Sequence, residues 1–280
     1  MIVACLALAP VVAYAPAWSE GRVLAPGDGA ALHLPLRAEV WRAWDRGEVP
    51  SWNGSSFSGT PLLAAYRPGA LHPLVVALTP LAPFRAFQAL VLISLALAGP
   101  LLFLYARRLG ADPVGALVAG LGFALGPYLV AHLGDTAAVT AAPALALVLL
   151  AAEAHLARAR PTTAASLALA VALLLLSGSP EAVGAGSLLL CVRLAFAGAA
   201  PDDEPGAGRT RVKRVVSTVA SALAGALLAA PQLVPTLVGL SEAGSGALAG
   251  SPSAGAGSLS GLAGLVVSYA SHAPAAVFAL

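Results

Sequence analysis

"AFQALVLISLALAGPLLFLY", Ala86 to Tyr105, contains no charged residue and is followed, after Ala106, by Arg107 and Arg108. A helix needs roughly 20 apolar residues to cross a bilayer, and inside lipid only a helix or a closed barrel satisfies every backbone N–H and C=O. The stretch therefore predicts a membrane-crossing helix. Further apolar runs fall at about Met1 to Ala17, Pro113 to Leu133, Ala137 to Leu156, Thr162 to Leu176, Ala182 to Phe196 and Val215 to Leu240, and an eighth begins near Leu259. The expected fold is an all-α polytopic bundle of seven or eight transmembrane helices, forming one membrane domain over residues 1–280. In the first run, Ala13-Tyr14-Ala15 has the spacing of a signal-peptide cleavage site, but the basic segment such a peptide needs is missing.

Composition agrees. Hydrophobic residues make up 59% of the chain, charged residues 10%, and the mean hydropathy is +0.85, far more apolar than an ordinary soluble domain. A formal charge of +2 and the lack of a basic-aromatic stripe exclude nucleic acid as a partner. Cys5 and Cys191 lie far apart in apolar runs, which fits small embedded residues and leaves the redox compartment open. The five His are scattered without zinc-ligand spacing, no Walker-type loop is present, and no internal repeat is visible. Arg supplies all but one of the fifteen basic residues, a usage that fits a GC-rich bacterial genome.

Arg107 and Arg108, Arg158 and Arg160, and the cluster Arg209 to Arg214 occupy alternate loops, so the positive-inside rule makes those loops cytoplasmic. Residues 197–214 form a polar loop on that side, and 241–258 a small-residue linker on the other. The long loop 18–83 then faces outward. Within it, "PLRAEVWRAWDRG" reads as an interfacial amphipathic helix, with Pro35 at its first turn and Gly47 just beyond its end. Leu36, Val40 and Trp44 mark its apolar face, and Arg37, Glu39, Arg42, Asp45 and Arg46 the polar remainder. A plain packing role suits such a helix equally well.

Three carboxylates stand at the outer helix ends. Asp28 in "PGDG" suits a turn. Asp135 and Glu181 suit helix starts, where the N-terminal dipole favours negative charge. Their presence on one side of the membrane is what also makes them candidates for a site. Trp44, Trp52, Phe57 and Tyr66 have the composition of an interfacial aromatic belt, and Asn53-Gly54-Ser55 is a chance glycosylation sequon.

Gly27-Asp28, the amphipathic helix, Gly47-Glu48-Val49-Pro50-Ser51-Trp52-Asn53, Phe57, Gly59-Thr60-Pro61 and Tyr66 to Pro73 together resemble the first outer loop of YfhO-like bacterial membrane proteins, of the GT-C class of glycosyltransferases. "GLGFALGPYLVAHLGD", "SGSPEA" and "APQLVPTL" resemble later segments of that family, with Ser179 where the family has His. The likeness spans nearly the whole chain, although members are usually much longer, so the sequence looks like an N-terminal portion or a short relative.

The resemblance implies an enzyme of the bacterial cytoplasmic membrane that moves a sugar from a polyprenyl-phosphate carrier to an extracytoplasmic acceptor. Asp28 matches the acidic catalytic position, and Trp52, Asn53, Tyr66, Arg67, Asp135 and Glu181 are candidates for substrate binding; guanidinium chemistry, and not the resemblance, makes Arg67 the nearest candidate to pair with the lipid phosphate. No metal and no cofactor beyond the lipid-linked donor is implied; the partners are membrane lipid and the polyprenyl-phosphate sugar, and oligomeric state is left open. A lipid or solute transporter, and a truncated non-catalytic subunit, are the competing readings.

Overall fold

The computed structural model describes residues 2–19, 23–55, 58–199 and 207–247. The described residues are all-α apart from one two-stranded ribbon. In order it forms α1 (Ile2–Ala13), α2 (Ala15–Ser19), a π-helical turn (Gly29–His33) running into α3 (Leu34–Asp45), β1 (Trp52–Asn53), β2 (Thr60–Pro61), α4 (Pro73–Ala77), α5 (Pro83–Arg108), α6 (Pro113–Ala124), α7 (Pro127–Ala131), α8 (Thr136–Ala157), α9 (Pro161–Leu176), α10 (Pro180–Ala199), α11 (Ala207–Leu228) and α12 (Ala230–Ala247).

Local chemistry sets these boundaries. From α4 to α10 every helix except α8 begins on a proline, whose missing N–H costs nothing in the first turn and whose fixed φ is already helical. α8 begins instead behind Asp135, whose Oδ1 accepts from the backbone N–H of Ala137 at 3.0 Å and Ala138 at 3.4 Å, satisfying two of the donors a helix start leaves open.

The bundle is built on α5, which packs against α8, α6 and α1, while α9 lies against both α8 and α11. Small residues let the helices approach. A Cβ on Gly120 would sit 2.8 Å from the carbonyl of Gly99 across the α5–α6 contact, the close backbone approach that drives helix association where lipid removes the hydrophobic force.

Among the described residues four helices are long and apolar enough to cross a membrane: α5, α6 with α7, α8 and α10 through Ala197. The number rises to five if α11 and α12 count as one span, fewer than the expected seven or eight. α1 and α9, at 12 and 16 residues, are shorter than the roughly 20 a perpendicular span needs. The run Val215 to Leu240 is not one straight helix, because the chain bends by 75° between Leu228 and Ala230. The run from Leu259 lies outside the described residues. Two loops are also shorter than expected. α10 continues to Ala199, the basic segment Arg209 to Arg214 is already in α11, and residues 241–247 of the expected linker belong to α12.

The loop 18–83 folds back on the bundle. α3 forms where expected, with Gly47 at φ +71° behind it. Val40 and Trp41 are buried, Leu36 and Trp44 pack against the same core, and Arg42 and Arg46 are exposed. Trp41 Nε1 donates to the Val75 carbonyl at 2.9 Å and Trp44 Nε1 to that of Ala70 at 3.0 Å, so residues 70–78 and α5 cover the apolar face. Arg37 departs from the expectation. It lies one turn before Trp41 on the covered stripe and is 1% exposed.

Candidate functional site

The long loop meets the bundle at the end where α9 finishes and α8 and α10 start. Gly178 turns the chain between α9 and α10 at φ +86°, and a Cβ there would lie 2.7 Å from the carbonyl oxygens of both Tyr66 and Arg67. Only glycine admits that approach. Tyr66 itself has φ +57°, a left-handed conformation that a non-glycine residue keeps only when its surroundings over-determine it. Its hydroxyl donates to the Leu175 carbonyl at 2.7 Å. Burial, with the Glu181 charge adding to it, pushes the phenol up to about 12.

Loop geometry thus aims Arg67 at the two helix starts. Nη1 donates to Asp135 Oδ2 at 2.8 Å and Nη2 to Glu181 Oε1 at 3.0 Å. The second oxygen of each acid is also engaged, Asp135 Oδ1 by the N-terminus of α8 and Glu181 Oε2 by the Ser179 hydroxyl at 3.1 Å. Three residues singled out in the sequence therefore form one ionic knot, and Arg67 has both terminal nitrogens on carboxylates. Arg67→Ala is expected to cost about 1 kcal/mol of stability, because it strands the half-buried Asp135 carboxylate and frees the exposed Glu181. Arg67→Lys should recover only part, since one ammonium cannot reproduce two parallel N–H bonds. Thermal melts of the three purified proteins check the order.

Two residues not singled out for the site complete its floor. Arg37 Nε donates to Thr136 Oγ1 at 2.7 Å, while Nη1 and Nη2 are buried without a partner among the described residues. Burial pushes this guanidinium down to about 9 against the favourable charge of Asp135. His33 Nδ1 lies 3.8 Å from Asp135 Oδ1. Burial lowers its pKa first, Asp135 and Asp28 raise it, and Arg67 and Arg37 lower it.

Asp28 precedes the π-helical turn and is exposed; its side chain makes no cap bond. Its backbone is fixed by the next residue, because a Cβ on Gly29 would lie 2.6 Å from the Gly134 Cα, and one on Gly134 would lie 2.2 Å from the Pro26 carbonyl oxygen. The Gly27-Asp28-Gly29 turn is thereby seated beside Asp135, near enough for Asp28 to act on His33.

Trp52 and Asn53 stand on the ribbon, with Trp52 opposite Pro61 and Asn53 opposite Thr60. Trp52 is 60% exposed and its ring lies over Gly59, whereas Asn53 is buried and its Oδ1 accepts from Ser55 N–H at 2.9 Å. The Ser55 hydroxyl donates to Glu39 on α3 at 2.9 Å, which ties the ribbon to the loop helix. Phe57 lies outside the described residues. Gln232, in the segment "APQLVPTL", is fully buried and donates through Nε2 to the Leu63 carbonyl at 2.6 Å, so the start of α12 also holds the loop.

Beneath the knot an apolar groove of about 380 Å³ runs between α5, α8 and α9, lined by His72, Ser94, Leu97, Thr140, Pro143 and Leu173 among others. Thr140 Oγ1 donates to the Thr136 carbonyl, so the groove reaches within one helical turn of the residue that holds Arg37. His72 Nδ1 accepts the Leu74 N–H at 3.3 Å, which requires an unprotonated nitrogen. Burial, with the Arg37 charge second, pushes His72 down to about 3.

Because an unfolded His titrates near 6.5, the unfolded chain takes up this proton first as pH falls. The neutral His72 contribution is intact above pH 6.5, declines by about 1.4 kcal/mol per pH unit below it and is gone near pH 3. His72→Asn keeps an acceptor at the cap and should flatten the slope between pH 6.5 and 5, as melts at those two values would show.

Among the described residues no three His, Cys, Asp or Glu are grouped to hold a metal ion. No family model matches the chain, and no curated protein or solved structure does either, which leaves the geometry of these residues as the ground for assigning a role.

Proposed function

We propose that this chain is a multi-pass glycosyltransferase of the GT-C type, related to the YfhO-like proteins of the bacterial cytoplasmic membrane, which moves a sugar from a polyprenyl-phosphate carrier to an acceptor outside that membrane. The observation that carries the reading is the contrast among three carboxylates at one end of the bundle. Asp135 and Glu181 have both oxygens engaged, while Asp28 is exposed and its side chain makes no cap bond to the helix that follows. Asp28 is the acid left able to take a proton.

In this mechanism the Asp28 carboxylate accepts the proton of an acceptor hydroxyl as its oxygen attacks the anomeric carbon. The bond from that carbon to the carrier phosphate breaks, and its electron pair leaves on the phosphate. The exposed Trp52 ring offers an apolar face to a sugar. The groove below the knot has the shape and lining for a prenyl chain. Arg67 positions Asp135 and Glu181, and its positive charge, with that of Arg37 behind it, favours a phosphate held nearby.

Proteoliposomes of the full chain, given radiolabelled polyprenyl-phosphate hexoses and pentoses with a pool of acceptor glycans, should transfer label from lipid to glycan. Label that remains on lipid for every donor would overturn the reading. A transporter is the second reading. It is favoured by the 75° break between α11 and α12, since broken helices line the substrate paths of transporters. In the same vesicles it would appear as movement of the labelled lipid or solute across the bilayer without a change of covalent carrier.

A further inference from the structure

α8 is 22 residues long, about 33 Å at 1.5 Å per residue, close to the roughly 30 Å of a hydrocarbon core. The ionic knot lies at its start. At its other end, where α8 passes to α9 and α11 runs alongside, a cavity of about 500 Å³ is lined by Arg158, Arg160, Lys213, Arg214 and Ser217. No carboxylate lines it, and none of these four cations pairs with an acid among the described residues.

The cavity is held by a set of exposed and half-buried hydrogen bonds. Thr163 Oγ1 lies 3.0 Å from the Arg158 carbonyl and 2.9 Å from that of Arg160, and it accepts the Arg160 N–H at 3.1 Å. Its single proton goes to a carbonyl, so His155 Nδ1, 2.9 Å away, is the donor toward it. His155 Nε2 is then the acceptor for the Ser217 hydroxyl at 2.9 Å. Arg214 Nη1 reaches the Leu156 carbonyl at 3.4 Å. The turn between α8 and α9 is thereby pinned to α11, and the cations cannot simply spread apart. The start of α9 adds the positive end of its dipole.

Four like charges gathered at the depth of the headgroups repel one another unless an anion sits among them. α11 also supplies the place for a lipid tail. Val212, Val216, Val219, Leu223 and Leu227 recur every three or four residues on it and are all exposed, from 43% to 75%, forming an apolar track along the helix that carries Lys213 and Arg214.

We propose that this cavity binds the phosphodiester headgroup of an anionic phospholipid, whose acyl chain lies along the Val212 to Leu227 track of α11. Basic pockets between helices at the membrane border bind such headgroups by the same chemistry. The site is independent of the reading given for the opposite end of the bundle.

The test is equilibrium binding of fluorescent phosphatidylglycerol to the purified full chain in neutral detergent, with phosphatidylcholine as the uncharged comparison and inorganic phosphate as the competitor. Phosphatidylglycerol should bind saturably and phosphatidylcholine should not. Each charge removed should weaken binding by about fivefold, so Arg158→Gln with Lys213→Gln should lose about 30-fold. Arg158→Lys with Lys213→Arg keeps the charge and should retain most of the affinity. All four positions are exposed, and unchanged melting temperatures will show that the variants fold. Equal binding of the two lipids, or an unchanged affinity in the Gln pair, would overturn the proposal. So would displacement of the lipid by equimolar inorganic phosphate, which would make this a site for soluble phosphate.

Discussion

Asp28→Asn should lower glycosyl transfer by about 10²- to 10⁴-fold, the contribution of a positioned general base. The amide keeps the size and polarity of the carboxylate but cannot accept the acceptor's proton. Asp28 is exposed and its side chain makes no cap bond, so stability should change by no more than about 0.5 kcal/mol, as for surface substitutions generally. Loss of turnover without loss of fold separates this outcome from those at Asp135 and Glu181. Asp135→Asn and Glu181→Gln weaken the hold of Arg67 and should lower the melting temperature while costing less in transfer. If Asp28→Asn transfers sugar at the wild-type rate, the base lies elsewhere and the assignment fails.

Arg193→Leu should destabilise the bundle by about 3–5 kcal/mol, the cost of leaving a buried charge without its partner. Arg193 on α10 grips Glu153 on α8 through two donors, Nε to Oε1 and Nη2 to Oε2, the latter at 2.9 Å. Glu153 is 8% exposed and sits one turn from the end of a helix long and apolar enough to cross a membrane, where an unpaired charge is expensive. Replacing both residues with Leu removes the charge together with its partner, so the double variant should recover most of the loss. Denaturation in mixed micelles gives the comparison. A double variant no more stable than Arg193→Leu would mean that the pair does not act as a unit.

What the sequence made legible follows the range of the forces involved. The span at Ala86 to Tyr105 depends on one continuous apolar run, and α5 contains it whole. The break at Ala229 was misread because hydropathy stays high across it. Pro231 carried the signal, since a proline has no N–H to continue a helix and sits readily in the first turn of a new one. Arg37 was assigned to the wet side of its helix because its partner, Thr136, is 99 residues away, and nothing local marks a guanidinium as buried. Asp135 and Glu181 were legible as charges at helix starts on one side of the membrane. Their joining through Arg67 depends on how α8, α9 and α10 pack, which no local pattern encodes. Gln232 was flagged only as part of a motif, and its bond to the loop carbonyl belongs to the packing of α12.

The clamp of Arg67 on Glu181 also sets a timetable for biosynthesis. The two residues are 114 positions apart, and chains are made at about 5–20 residues per second. The loop therefore emerges roughly 6 to 23 seconds before its last anchor exists. During that interval Tyr66 cannot be held in its left-handed conformation, because the Leu175 carbonyl that receives its hydroxyl has not been synthesised. The loop must wait on the surface while the intervening helices insert, and it settles only when the turn at Gly178 arrives. A ribosome stalled before Gly178 should leave the segment from Ala64 to Pro68 open to protease, and one stalled well past Glu181 should leave it protected.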